Sequence, residues 1–155
     1  MKQDFMREAI RISLEMMRQD RGGPFGAVVV RAGEIVGRGW NQVTSTNDPT
    51  AHAEMVAIRE ACQRLGTFRL EGCELYASCE PCPMCLSAIY WARLDKLGYA
   101  ATRHDAAAAG FDDEWIYREM SLPPDQRRLP AEPLLREEAL AALAEWKSKP
   151  DRVLY

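Results

Sequence analysis

The stretch Cys73-Glu-Leu-Tyr-Ala-Ser-Cys-Glu-Pro-Cys-Pro-Met-Cys-Leu-Ser-Ala-Ile-Tyr-Trp-Ala92 changes character twice. Cys73–Ser78 reads as a short strand, Glu80-Pro-Cys-Pro83 as a loop feeding a helix start, and Cys85–Ala92 as a helix that is apolar nearly all round. Such a helix needs cover on both sides, from the core and from another subunit. A strand passing through a proline loop into a buried helix is the unit from which α/β sheets are built.

The flanking sequence extends the pattern. Residues 3–19 form an amphipathic period, with Phe5, Ala9, Ile12 and Met16 on one stripe, ended by Arg21-Gly-Gly-Pro24. Phe25–Arg31 and Glu34–Val43 are β-rich runs joined across Ala32-Gly33, a hairpin turn. Residues 44–50 read as a loop, and Ala51–Leu65 as a helix ended by Gly66. Lys96–Ala101 is a further strand, and Ala106–Met120 a helix interrupted at Gly110. Ser121–Arg128 is a polar loop, Leu129–Leu135 a short extended piece, and Arg136–Lys147 a last helix. The expectation is a single α/β domain over residues 1–155, with helices on both faces of a mixed sheet.

The 20 basic and 23 acidic residues leave a net charge of −3, a poor surface for nucleic-acid phosphates. The run Phe25–Val30 is far short of a membrane span, and the N-terminal residues have no apolar segment of the secretory kind. The expected setting is therefore the cytoplasm, with five reduced cysteines.

His52-Ala-Glu54 and Pro81-Cys82-Pro-Met-Cys85 carry the chemistry. Zinc takes nitrogen and thiolate ligands, and catalytic sites keep three protein ligands plus one open position. His52, Cys82 and Cys85 supply that set, and Cys82 and Cys85 at i and i+3 fall on one side of a first helical turn. Glu54, two residues past a ligand, can carry a proton without coordinating. A lone Cys-x-x-Cys also occurs in redox and structural zinc sites, and Cys79 could complete a structural set. A ferredoxin-type run would want a cysteine where Ile89 stands. The histidine two residues before a glutamate favours the catalytic reading.

The H-x-E and P-C-x-x-C pair is the signature of zinc nucleobase deaminases. The chain resembles the cytidine deaminase-like superfamily, and within it the small guanine deaminases of bacterial type. The resemblance rests on Gly23-Pro-Phe-Gly-Ala-Val28, Asn47-Asp-Pro-Thr-Ala-His-Ala-Glu54, Ser78-Cys-Glu-Pro-Cys-Pro-Met-Cys85, Ala88-Ile-Tyr-Trp-Ala-Arg93, Ala109-Gly-Phe-Asp-Asp113 and the tail from Lys149 to Tyr155. It implies a three-layer α/β/α fold with a five-stranded mixed sheet. It also implies one zinc ion per subunit and hydrolysis of guanine at C2 to xanthine and ammonia. Hydroxide would come from zinc, with Glu54 as proton shuttle and Asp113 holding the departing amino group. Asn41 would meet the polar edge of the purine, and Phe25 and the His52 ring would stack near the base. The resemblance further implies a homodimer with exchanged C-terminal segments, in which Tyr155 closes the partner's pocket and an interface helix brings Trp91 to its rim.

Alternatives share the zinc site. A tRNA adenosine deaminase carries the same Asn-Asp-Pro-Thr-Ala-His-Ala-Glu block, but residues 131–155 hold four bases and five acids, a poor match to RNA. Free-cytosine and amino-triazine deaminases are further possibilities. A zinc-stapled interaction domain is the non-enzyme alternative. Cys62 and Cys73 read as packing residues, and His104 as solvated.

Overall fold

The computed structural model describes residues 1–111 and 113–155, and Asp112 of the Ala109–Asp113 block lies outside the described residues. The chain forms two compact units, Met1–Glu114 and Trp115–Tyr155.

In the first unit, helix α1 (Lys2–Arg18) buries Ala9, Ile12 and Ser13, with Asp4 in its first turn and Arg18 in its last, matching the helix dipole. Strands β1 (Gly26–Arg31) and β2 (Glu34–Trp40) pair antiparallel with Arg31 opposite Glu34, so Ala32-Gly33 is a two-residue turn. Both turn residues have positive φ, 49° and 85°, as a turn matching the strand twist requires. A single helical turn, α2 (Val43–Thr46), precedes Asn47, which takes the left-handed conformation. Helix α3 (Ala53–Leu65) is capped by His52 and stops at Gly66, φ 65°. Strand β3 (Cys73–Cys79), helix α4 (Pro83–Trp91), strand β4 (Lys96–Ala101) and helix α5 (Arg103–Ala108) complete the unit.

The sheet order is β2-β1-β3-β4, with β1 antiparallel to both neighbours and β3 parallel to β4. The mixed sheet is as expected, with four strands among the described residues where five were expected. Leu129–Leu135 pairs with nothing as a strand, because an extended segment becomes one only through ladder partners.

β1 is central and buried on both faces, which explains its unbroken apolar run. Ala27 and Val29 face a cluster with Ala53, Ala57 and Ile58 of α3 and Ile89 of α4. Val28 and Val30 face Ile12 of α1 and Tyr76 of β3. This gives three layers, α1, sheet, and α3 with α4. α3 lies directly on β2 because Gly39 has no side chain. A Cβ there would sit 2.0 Å from the Ala53 carbonyl oxygen and 2.6 Å from the Ala57 nitrogen. The glycine thus sets the height at which the start of α3 crosses the sheet.

In the second unit, α6 (Glu114–Ser121) runs in from the unit boundary, a 3-10 turn spans Pro124–Gln126, and α7 (Arg136–Ser148) follows. The Glu119 carboxylate accepts the Arg128 backbone N–H at 2.6 Å and faces its guanidinium at 3.8 Å. The helix expected over Ala106–Met120 is two helices. The break at Gly110 stands (φ 92°), and the first helix begins earlier, where Thr102 and Asp105 form a capping box. No helix among the described residues is long and apolar enough to cross a membrane.

Candidate active site

Two helix starts converge on one point. His52 caps α3 and Glu54 occupies its first turn; Cys82 caps α4, Pro83 opens it and Cys85 follows in its first turn. Proline at the first helical position has no N–H to leave unpaired, so it favours a sharp start just after Cys82. Both dipoles place positive potential where thiolates gather.

His52 Nδ1 stands 3.5 Å from Cys82 Sγ and 3.5 Å from Cys85 Sγ, and the three ligand atoms lie within 4.8 Å of one another. A tetrahedral zinc ion with ordinary Zn–N and Zn–S bonds separates such ligands by about 3.6 Å. The donor set therefore fits zinc in spacing and in chemistry. Cys79 is not in this group; its thiol donates to the Thr102 carbonyl at 3.6 Å, and burial pushes its pKa up to about 11. The described residues thus provide three ligands and not the four of a closed structural site.

The electrostatics of the set are those of a hydrogen-bonded thiolate. Bonds from the Cys85 thiol and from the His52 ring hold Cys82 down at about 4. Cys85, donor in that pair and buried beside Glu54, is pushed up. The bond to Cys82 raises His52. Glu54 is buried, and loss of water pushes its carboxyl above the usual range.

A cavity of about 240 Å³ opens over this group. Phe25, Asn41, His52, Glu54, Cys82 and Asp113 line it, so six of the nine expected site residues meet in one place, with Cys85 joined to them through the metal set. Phe25 packs edge-on against Phe111, centroids 4.9 Å apart at 84°. Asn41 is pinned from two sides: its N–H donates to the Phe25 carbonyl at 3.1 Å, and its Oδ1 accepts the Val43 N–H at 3.2 Å. Trp91 is 63% exposed on α4 and is not among the lining residues, and Tyr155, 72% exposed, belongs to the second unit.

Glu80, Arg103 and Phe111 also line the cavity and were not singled out from the sequence. Phe111 was visible only inside a motif block. Thr102-x-x-Asp105 was the overlooked signal for Arg103, since a capping box there puts residue 103 in a first helical turn at the mouth of the sheet.

A family model of the cytidine and deoxycytidylate deaminase zinc-binding region matches residues 1–101. The chain belongs to this family. Guanine deaminase from Bacillus subtilis is 49% identical over 93% of the chain and 92% of that protein. The tRNA-specific adenosine deaminase of Aquifex aeolicus is 47% identical over 64% of the chain and 66% of its own length. The X-ray structure of guanine deaminase from Bacillus subtilis superposes with a TM-score of 0.96 at 47% identity, over 99% of this chain and 98% of that one. The expected deaminase family and its zinc-binding character are borne out, and His52, Cys82 and Cys85 could hold one zinc ion.

Proposed function

We propose that the chain is a zinc-dependent enzyme that hydrolyses guanine to xanthine and ammonia. The observation that carries this reading is the extent of likeness. It runs over 93% of the chain for the guanine deaminase and 64% for the tRNA enzyme. The net charge of −3 and the small cavity also suit a free base better than an RNA.

His52, Cys82 and Cys85 would hold the zinc. When bound, the ion supplies a Lewis acid that makes water nucleophilic near neutral pH. The chain's own residues do the remaining work. Glu54, walled off from bulk water, takes one proton from the attacking water and returns it to the ring nitrogen beside C2. Asp113 holds the 2-amino group and guides a further proton onto it, so that the C2–N bond breaks and ammonia leaves. Phe25 packs on the base, and pinned Asn41 offers its amide to the polar edge. Water and guanine thereby balance xanthine and ammonia.

The active form in this proposal is a cytoplasmic homodimer with one site per chain. Each site is built on residues 1–113, and the segment 149–155 of one chain closes the cavity of the other through Tyr155, beside Trp91. The apolar side chains left at the surface support such a partner: Tyr90 (73% exposed) and Trp91 on α4, and Leu143 and Leu154 in the second unit.

The test is ammonia release by the zinc-loaded protein from guanine, with adenosine, cytosine and tRNA alongside. Release from guanine alone is expected, and Glu54→Gln should keep its zinc while losing about 10²–10⁴-fold in rate. Release from tRNA or adenosine would replace the substrate, and an inactive protein with tightly held zinc would replace the enzyme reading.

A further inference from the structure

Arg103 is the one guanidinium lining the cavity among the described residues. Its main chain is held firmly. Its N–H donates to Glu80 Oε2 at 3.0 Å, and the Glu80 N–H donates to the Ala101 carbonyl at 2.8 Å. On the other side, the Thr102 N–H and hydroxyl donate to Asp105 Oδ2 at 2.8 and 2.6 Å, closing the start of α5. The main chain of Arg103 is thus fixed at the cavity wall, which sets where its guanidinium can reach the cavity it lines.

The other lining groups show what that donor can read. Ionised Glu54, Glu80 and Asp113 only accept hydrogen bonds. The Cys79 thiol is committed to the Thr102 carbonyl. Asn41 contributes a single amide whose oxygen is already used by Val43, which leaves its NH2 group as a donor, a single nitrogen and not a fork. A 2-amino-6-oxopurine presents donors along its N1–N2 edge and two adjacent acceptors, O6 and N7, at the other end. The acceptor-rich wall suits the first edge. The second calls for paired donors, which a guanidinium fork supplies in matching geometry. Its five N–H groups allow this while other contacts to the protein are kept.

We propose that Arg103 is a specificity-determining residue that donates to O6 and N7 of the substrate base and so selects 6-oxopurines, with Glu80 positioning it. This rests on the guanine reading above and adds how that site would reject purines without an oxygen at C6. A site built to bond an oxygen is left with an unmatched donor when the oxygen is missing, and rejects the analogue.

The experiment compares wild type, Arg103→Ala and Arg103→Lys, all zinc-loaded. It measures kcat/KM for guanine and for 2-aminopurine, which lacks the C6 oxygen, and calorimetric binding of hypoxanthine, which has O6 and N7 but no group to release. Arg103→Ala is expected to lose roughly ten- to hundredfold on guanine and on hypoxanthine affinity. On 2-aminopurine it should change by less than about threefold, with Arg103→Lys intermediate because a lysine donates as a point and not as a fork. Equal losses on both bases would reduce Arg103 to a structural residue, and no loss on guanine or hypoxanthine would overturn the proposal. If the alanine variant fails to fold, the same ratios from Arg103→Lys decide. A wild type that binds hypoxanthine through Arg103 but leaves guanine intact would sink the guanine reading and keep the role of Arg103.

Discussion

Every buried residue described lies at or before Ala92, whereas Trp115–Tyr155 forms its helices without burying a side chain. The first unit is held by packing. β1 is covered on both faces, Leu70 and Leu75 are fully enclosed, and each such side chain contributes about 1.5–3 kcal/mol. The second unit relies on local chemistry. α7 is rich in Ala, Leu and Glu, with Glu137 and Glu138 in its first turn and Lys147 in its last. A helix of 13 residues with those features alone is marginal in water. The two halves are therefore held differently: one is a packed core that carries the metal-ligand set, and the other is made of helices held by local chemistry.

The sharpest way to break that division uses the proposed exchange. Glu54→Gln and Tyr155→Ala chains should each be nearly inactive. Unfolded together and refolded, they should form mixed dimers in which one site has its own Glu54 and the partner's tyrosine. Random pairing makes that about a quarter of all sites. Recovery of about a quarter of wild-type ammonia release is expected; none would mean that each chain closes its own cavity, and a Tyr155→Ala chain active by itself would mean that no closure is needed.

Gly39→Ala probes the packed half alone. The added carbon meets the Ala53 carbonyl at 2.0 Å, so α3 must move off the sheet and carry His52 and Glu54 with it. Overpacking of this kind costs about 2–3 kcal/mol, and zinc content should drop with it. A urea midpoint and zinc occupancy equal to wild type would show that the start of α3 is not fixed by β2.

Zinc uptake sharpens the electrostatic side of the same half. Cys82, held at about 4, is already a thiolate at neutral pH, while Cys85 is pushed up and must give up its proton to coordinate. His52, raised by its bond to Cys82, also holds a proton more tightly than a free imidazole. Uptake therefore releases protons, and affinity falls as pH falls, about tenfold per pH unit for each proton displaced. Chelator competition at pH 6, 7 and 8 measures this, and a flat profile would contradict the hydrogen-bonded thiol pair.

Much of this division was legible in the residues. The 3.6-residue stripe of α1, the apolar run of β1 and the Pro83 start of α4 follow from periods and breakers that local sequence carries. The ligand set was legible because few residue types bind zinc and they were closely spaced. The rest depended on distant partners. Leu129–Leu135 reads as extended because Pro130 and Pro133 exclude a helix, but those prolines cannot donate to a ladder and no strand forms. Val43–Thr46 is one helical turn made of residues that serve equally in a loop. Glu80 and Arg103 reach the cavity only because β3 and β4 lie side by side, a pairing between segments with no local signature.

The smallest effect separates stability from function within the packed half. Ala32 holds φ 49° at the first position of the Ala32-Gly33 turn, where the Cβ of an L-residue crowds the backbone. Asparagine tolerates that region better, and Asn-Gly is the preferred pair for a two-residue hairpin of this twist. Ala32→Asn should therefore raise the urea midpoint by about 0.5–1 kcal/mol equivalent. The turn joins β1 to β2 at Arg31 and Glu34, the opposite end of the hairpin from Gly26 and Trp40, next to which Phe25 and Asn41 line the cavity. Guanine turnover and zinc content should stay at wild-type values. A gain in stability with altered turnover would mean that the hairpin transmits its geometry along its length to Asn41. A loss of stability would mean that the turn adopts another conformation in solution.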